Sequence, residues 1–146
     1  TRTMRRLGAP AVRAAAGAAG LEDFAIAASW SEARVSARDF ARVLVEAPRL
    51  VLPENRRRLC AWLEGVSPSQ SWGIPEALRP LGAHVLFKGG WRGGLTHQAA
   101  RVEIGRRVYG LAVLSDRQPS GLASGAPTIT RLARTLLGPG STIVHQ

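Results

Sequence analysis

Several residue types are scarce in this 146-residue chain, and each scarcity excludes something. Cysteine occurs once, as Cys60. That excludes an internal disulfide and any metal centre built from several thiolates. There is no run of 18 apolar residues, and so no membrane-spanning helix. The opening Thr1-Arg2-Thr3-Met4-Arg5-Arg6 leads into an Ala/Gly stretch interrupted by Arg13, which makes a poor signal-peptide core. Lysine is nearly absent: of twenty cationic side chains, Lys88 is the only one that is not arginine. Histidine occurs three times (His84, His97, His145), never in the His-Glu-x-x-His spacing of a zinc peptidase. No serine sits in Gly-x-Ser-x-Gly, which excludes a nucleophile elbow. No Gly-x-Gly-x-x-Gly joins a strand to a helix, so a dinucleotide site has no support. We therefore expect neither metal nor cofactor.

What is present suits a single compact domain. The apolar fraction is 45%, and mean hydropathy is close to zero at −0.02. A chain of this length hides roughly 70% of its surface on folding. The net charge is +10, with a pI near 11.7. A basic nucleic-acid-binding domain is one alternative reading of that charge. Against it, the arginines are scattered, and only Arg56-Arg57-Arg58 form a tight run. Arginine in bulk beside many Ala and Gly fits a coding bias more simply.

The first half reads as helical. Residues 9–20 are mostly alanine, with Pro10 near the start and Gly20 at the end, as in a short helix. Ser36-Ala37-Arg38-Asp39 is a capping-box pattern opening a second helix that Pro48 stops. Pro53 opens a third, in which Leu59, Trp62, Leu63 and Val66 make a core stripe. Cys60 lies beside that stripe and reads as a small core or boundary residue, not as a reactive thiol. Residues 67–82, rich in Pro, Ser and Gly, read as an ordered crossing.

Strands follow. His84 to Lys88 is a strand ended by Gly89-Gly90, and residues 98–104 and 107–114 are two more, joined by a tight hairpin at Gly105-Arg106. The last of these is apolar on both faces, which suggests a central strand covered twice. Pro127 then opens a final helix, with Ile129, Leu132, Ala133, Leu136 and Leu137 on one stripe. Helices, then three antiparallel strands, then a helix give an α+β pattern. The expected division is a helical portion over 1–76 and an antiparallel sheet plus C-terminal helix over 77–146, both parts of one domain.

One group carries chemistry. Lys88-Gly89-Gly90-Trp91 ends an apolar strand. Such a lysine can be a mere surface charge before a turn. It can also supply a point charge for an anion, with glycines that let a ligand approach the backbone. A backbone amide beyond them could meet a developing oxyanion. His84 and His97 read as hydrogen-bonded structural residues, not as bases.

Around this group the chain resembles the class A β-lactamases and related penicillin-recognising serine hydrolases. The matching stretches are His84-Val85-Leu86-Phe87-Lys88-Gly89-Gly90-Trp91, the hairpin ending in Leu111-Ala112-Val113-Leu114-Ser115-Asp116, and Thr128-Ile129-Thr130-Arg131-Leu132-Ala133. The helical half, from Arg6 to Leu21 and from Ser36 to Arg42, is similar to the stretch after that family's Ser-Asp-Asn loop. The resemblance implies the C-terminal part of the β-lactamase/transpeptidase-like fold. It implies that Lys88 attracts a substrate carboxylate and that Gly90 matches the glycine of the Lys-[Ser/Thr]-Gly triplet. Gly89 replaces the hydroxyl residue. The N–H of Trp91 would match an oxyanion-hole donor, and the strand edge would bind a peptide-like substrate by adding a strand. The substrate would be a β-lactam or a cell-wall D-alanyl peptide, and the setting extracytoplasmic.

The same comparison shows what is missing. Position 85, three before the only lysine, is valine, so there is no Ser-x-x-Lys. The only asparagine is Asn55, preceded two places earlier by Pro53, so there is no Ser-x-Asn and no Glu-x-x-Leu-Asn. Glu22 and Glu32 lie in the right general region but read as surface charges. We expect residues 1–146 to carry no catalytic residue and to be inactive alone. The missing N-terminal half, or a second polypeptide, would complete the fold, and without it an extended apolar patch should be exposed. A non-catalytic binding or scaffold module with the same fold is the other reading.

Overall fold

The structure is a computed structural model that describes residues 2–26 and 32–141, with side chains from Arg6 onward. His145 therefore lies outside the described residues. The elements, in chain order, are α1 (Arg2–Ala18), α2 (Ala37–Glu46), α3 (Arg56–Glu64), α4 (Ile74–Leu78), β1 (His84–Arg92), β2 (Leu95–Ile104), β3 (Arg107–Ser115) and α5 (Leu122–Leu137). The strands form one antiparallel sheet in the order β1-β2-β3. The α+β class expected from the sequence is the class observed.

Two-residue loops set the register. Gly93-Gly94 joins Arg92 to Leu95, and Gly105-Arg106 joins Ile104 to Arg107. Gly105 has φ +58°, a conformation such hairpins require and a side chain resists. Alternation then sorts the side chains. Val85 and Phe87 of β1 share a face with Ala100 and Val102 of β2 and with Leu111 of β3. That face packs on Ile74, Ala77 and Leu78 of α4 and on Ile129 and Ala133 of α5 to form the core.

Helix α2 lies over the other face. It comes so close to β3 that a β-carbon on Gly110 would sit 2.8 Å from the Val45 side chain. Arg101 reaches across to donate to the Val45 carbonyl at 3.1 Å. Helix α3 is tied to β1 by polar contacts. His84 Nε2 lies 3.2 Å from Glu64, its Nδ1 lies 3.6 Å from Glu103, and Arg79 donates to the Glu64 carbonyl at 2.7 Å.

Several expectations need correcting. The helical stretch at the N-terminus begins before residue 9. It runs from Arg2 and bends at Gly8 (φ 76°, ψ 164°), which leaves Pro10 in the first turn of the second segment. The capping pattern at α2 is half made. Ser36 accepts from the Asp39 N–H at 3.2 Å, but Asp39 does not reach back. Its carboxylate instead accepts the N–H groups of Glu22 at 2.9 Å and Asp23 at 2.6 Å, fastening the segment after α1 to α2. The stripe on α3 is not core: no residue of that helix is buried, and Trp62 is 68% exposed. The periodicity correctly marks one side of the helix, but α3 rests on little besides β1, so the rim of that side stays uncovered.

Strand β1 does not stop at its glycines. It runs through Gly89 and Gly90 to Arg92, because β2 continues to pair with it there. Strand β3 is covered on both faces as expected, by α2 and α5. It is nevertheless an edge strand, and β2 is central. Apolar residues on two faces report what lies above and below a strand, not what lies beside it. Helix α5 starts at Leu122, so Pro127 falls inside it. Close packing of Gly125 on Thr96, where a β-carbon would be only 2.3 Å from the threonine oxygen, anchors the turn before the proline. Ile129 and Ala133 point into the core, whereas Leu132 and Leu136 are each 40% exposed.

Candidate functional site

Strand β1 borders a cleft of about 500 Å³. Lys88, Gly89, Gly90 and Trp91 all line it, joined by Arg92, Leu95, His97, Gln70 and Ala33. The four residues singled out from the sequence therefore share one cavity with both neighbouring strands of the hairpin.

The register decides which backbone groups face that cleft. The residues flanking a two-residue loop, Arg92 and Leu95, form a hydrogen-bonded pair. Alternation then makes Gly90–His97 and Lys88–Ala99 hydrogen-bonded pairs as well. Gly89 and Trp91 fall between them, so their N–H and C=O groups point away from β2, toward the edge where no described strand pairs. The Gly89 carbonyl is in keeping with this, since it accepts a hydrogen bond from the Lys88 ammonium. Lys88 itself is exposed, with no carboxylate among its described partners.

Behind the strand, Gln98 is fully buried and works in two directions. Its Oε1 accepts from the Ile74 N–H at 2.6 Å, and its Nε2 donates to the Trp72 carbonyl at 2.8 Å. This pins the crossing segment under the glycines of β1. The Trp72 ring then lies against Gly89, where a β-carbon would be 3.2 Å from two of its ring atoms. Trp72 and Trp91 meet edge to face, with centroids 5.7 Å apart and planes at 76°. The sequence reading valued Trp91 for its amide alone and had no role for Trp72 or Gln98. Neither is detectable by spacing, because they lie 26 residues apart.

His97 also lines the cleft. Its Nδ1 accepts the Ser115 N–H at 3.2 Å, which leaves the proton of the neutral ring on Nε2. It is thus a hydrogen-bonded residue at the cleft wall. Glu22 pairs with Arg38 and Arg42, and Glu32 is exposed. Cys60 is half-buried and free. Among the described residues no group of His, Cys, Asp and Glu is placed to hold a metal ion. No helix among them is long and apolar enough to cross a membrane.

The described elements define an α+β class, a three-stranded antiparallel sheet with helices packed on both faces. Three solved structures share it. PBP-A superimposes with a TM-score of 0.72 at 22% identity, over 90% of this chain and 51% of that one. A mutant of PBP-A, solved as an acyl-enzyme complex with penicillin G, gives 0.69 at 21%, over 87% and 49%. A β-lactamase from Sphaerobacter thermophilus DSM 20745 gives 0.71 at 19%, over 94% and 57%. The chain thus spans about half the length of the solved structures it matches. None of the curated proteins matches it. The sequence model of the β-lactamase enzyme family matches residues 1–138, and the chain belongs to that family.

Proposed function

We propose that the β1 cleft is the substrate wall of a serine β-lactamase-like hydrolase and that the attacking serine comes from outside residues 1–146. The observation that carries this reading is the register. It turns the amides of Gly89 and Trp91 away from β2, beside the only lysine. In the proposed arrangement Lys88 attracts the carboxylate of a β-lactam or D-alanyl peptide. The Trp91 N–H donates to the carbonyl oxygen as it gains charge. The edge of β1 pairs with the amide portion of the ligand.

The complete reaction is acyl transfer. The serine oxygen bonds to the carbonyl carbon, the C–N bond breaks, and the serine proton passes to the nitrogen. Water then adds to the acyl carbon and releases the serine. The chain supplies the binding and electrostatic half of this process. The exposed Leu132 and Leu136 of α5 support a further segment docking against that helix. By the same reading the setting is extracytoplasmic.

Two measurements test the proposal. The coding sequence immediately upstream should contain Ser-x-x-Lys followed by Ser-x-Asn. Residues 1–146 alone should bind benzylpenicillin reversibly, show no adduct by intact mass, and lose that binding in Lys88→Met. Enzyme-like turnover of a chromogenic cephalosporin by residues 1–146 would overturn the assignment. A start codon near Thr1 would instead favour the second reading, a binding module without catalysis. Gly89 favours that reading, since the triplet's hydroxyl donor is missing.

A further inference from the structure

Two features of α3 have no part in the β1 cleft: the Arg56-Arg57-Arg58 run and the exposed Trp62. Leu59, Cys60 and Leu63 are half-buried on the side of the helix that packs on β1. At roughly 100° per residue, Arg57, Arg58, Ala61 and Trp62 fall on the opposite side. All four are exposed. Arg58 and Trp62 stand one turn apart, so their side chains are neighbours. Arg57, Arg58 and Ala61 share a groove of about 540 Å³ with Pro53 and Glu54. Trp62 is 68% exposed, and Leu52, next to Pro53, is 63% exposed.

The charge on this face is unanswered. Arginines elsewhere find acids: Arg38 and Arg42 pair with Glu22, and Arg49 with Glu46. Arg56, Arg57 and Arg58 pair with no carboxylate among the described residues, although Glu54 lines the same groove. Glu64, at the end of the helix, is turned to His84 on the β1 side. Cations beside an exposed indole and an exposed leucine complement a surface that is negative outside and apolar beneath. A bilayer of anionic lipid has that profile. A nucleic acid offers phosphates but no apolar layer, and it calls for a basic groove that tracks its backbone. We propose that the outer face of α3 seats the protein on an anionic lipid surface. Trp62 enters the headgroup layer, as tryptophans do at membrane interfaces, and Arg57 and Arg58 meet lipid phosphates. This contact is separate from the β1 cleft, and neither needs the other.

Cosedimentation with lipid vesicles is the test. The protein should bind vesicles of equal parts phosphatidylglycerol and phosphatidylcholine, leave pure phosphatidylcholine vesicles unbound, and be released by added sodium chloride. Arg57→Gln/Arg58→Gln should bind the anionic vesicles at least about tenfold more weakly, at about fivefold per arginine. Trp62→Ala should also lose about tenfold. Arg131→Gln/Arg134→Gln removes the same charge from an exposed part of α5 and should stay within about threefold of the unaltered protein. Equal weakening by the α5 pair would mean that net charge alone drives binding, and it would overturn the patch. Full binding by Trp62→Ala, or no binding to the anionic vesicles, would overturn it too. Binding of duplex DNA with the same arginine dependence, and of no vesicle, would replace it with a nucleic-acid contact.

Discussion

Gln98 Oε1 accepts the backbone N–H of Ile74 at 2.6 Å, joining the middle of the central strand to the start of α4 inside the core. The same contact explains why residue 73 is glycine. A β-carbon there would lie 2.4 Å from the carboxamide oxygen. This one buried side chain holds the segment at Trp72 and Ile74 against β2.

Replacing it should be expensive. In Gln98→Leu, the Ile74 N–H and the Trp72 carbonyl both lose their partners in a dry setting. We expect a loss of about 2–4 kcal/mol, read from the midpoint of denaturant unfolding. The Trp72 fluorescence should shift as the ring loosens. A change under about 0.5 kcal/mol would show that the segment is held by packing alone.

Restoring the family's hydroxyl at position 89 should also destabilise the fold. Gly89→Thr pushes a branched side chain into the Trp72 ring and should lose about 1–3 kcal/mol. Combined with Trp72→Ala, the two losses should fall short of their sum by at least about 0.5 kcal/mol, because the second change removes the first one's clash. Simple additivity would mean that the two positions do not touch in solution.

Asp39 offers a test of the helical half. From the start of α2 its fully buried carboxylate accepts the backbone N–H groups of Glu22 and Asp23. Asp39→Ala should lose about 2–3 kcal/mol by leaving those donors unpaired. Asp39→Asn keeps an acceptor oxygen and should lose less. Hydrogen exchange at Glu22 and Asp23 should speed up in the alanine variant, and equal protection in both variants would refute the anchor.

Trp62 separates the sequence expectation from the structure most directly. A core tryptophan truncated to alanine loses about 3–5 kcal/mol. At 68% exposure, Trp62→Ala in residues 1–146 should lose less than about 1 kcal/mol. A core-sized loss in thermal or denaturant unfolding would restore the expected stripe.

Much of the architecture was legible in the chain itself. Alternation with turn residues between the runs marked the strands, since a pleated strand repeats every two residues. Glycine and proline marked the hairpin at Gly105-Arg106 and the helical turn at Pro10 for the same local reason: both act on their own backbone. Lys88 stood out because no other lysine exists. What the chain could not disclose depends on neighbours distant in sequence. Only the fold could show that β3 is an edge and β2 the centre, that Trp62 is uncovered, and that Gly89 is bare because Trp72 lies against it. Local periodicity records which side of an element is apolar. Which partner arrives on that side, and how closely, is decided by the packing of elements many residues apart.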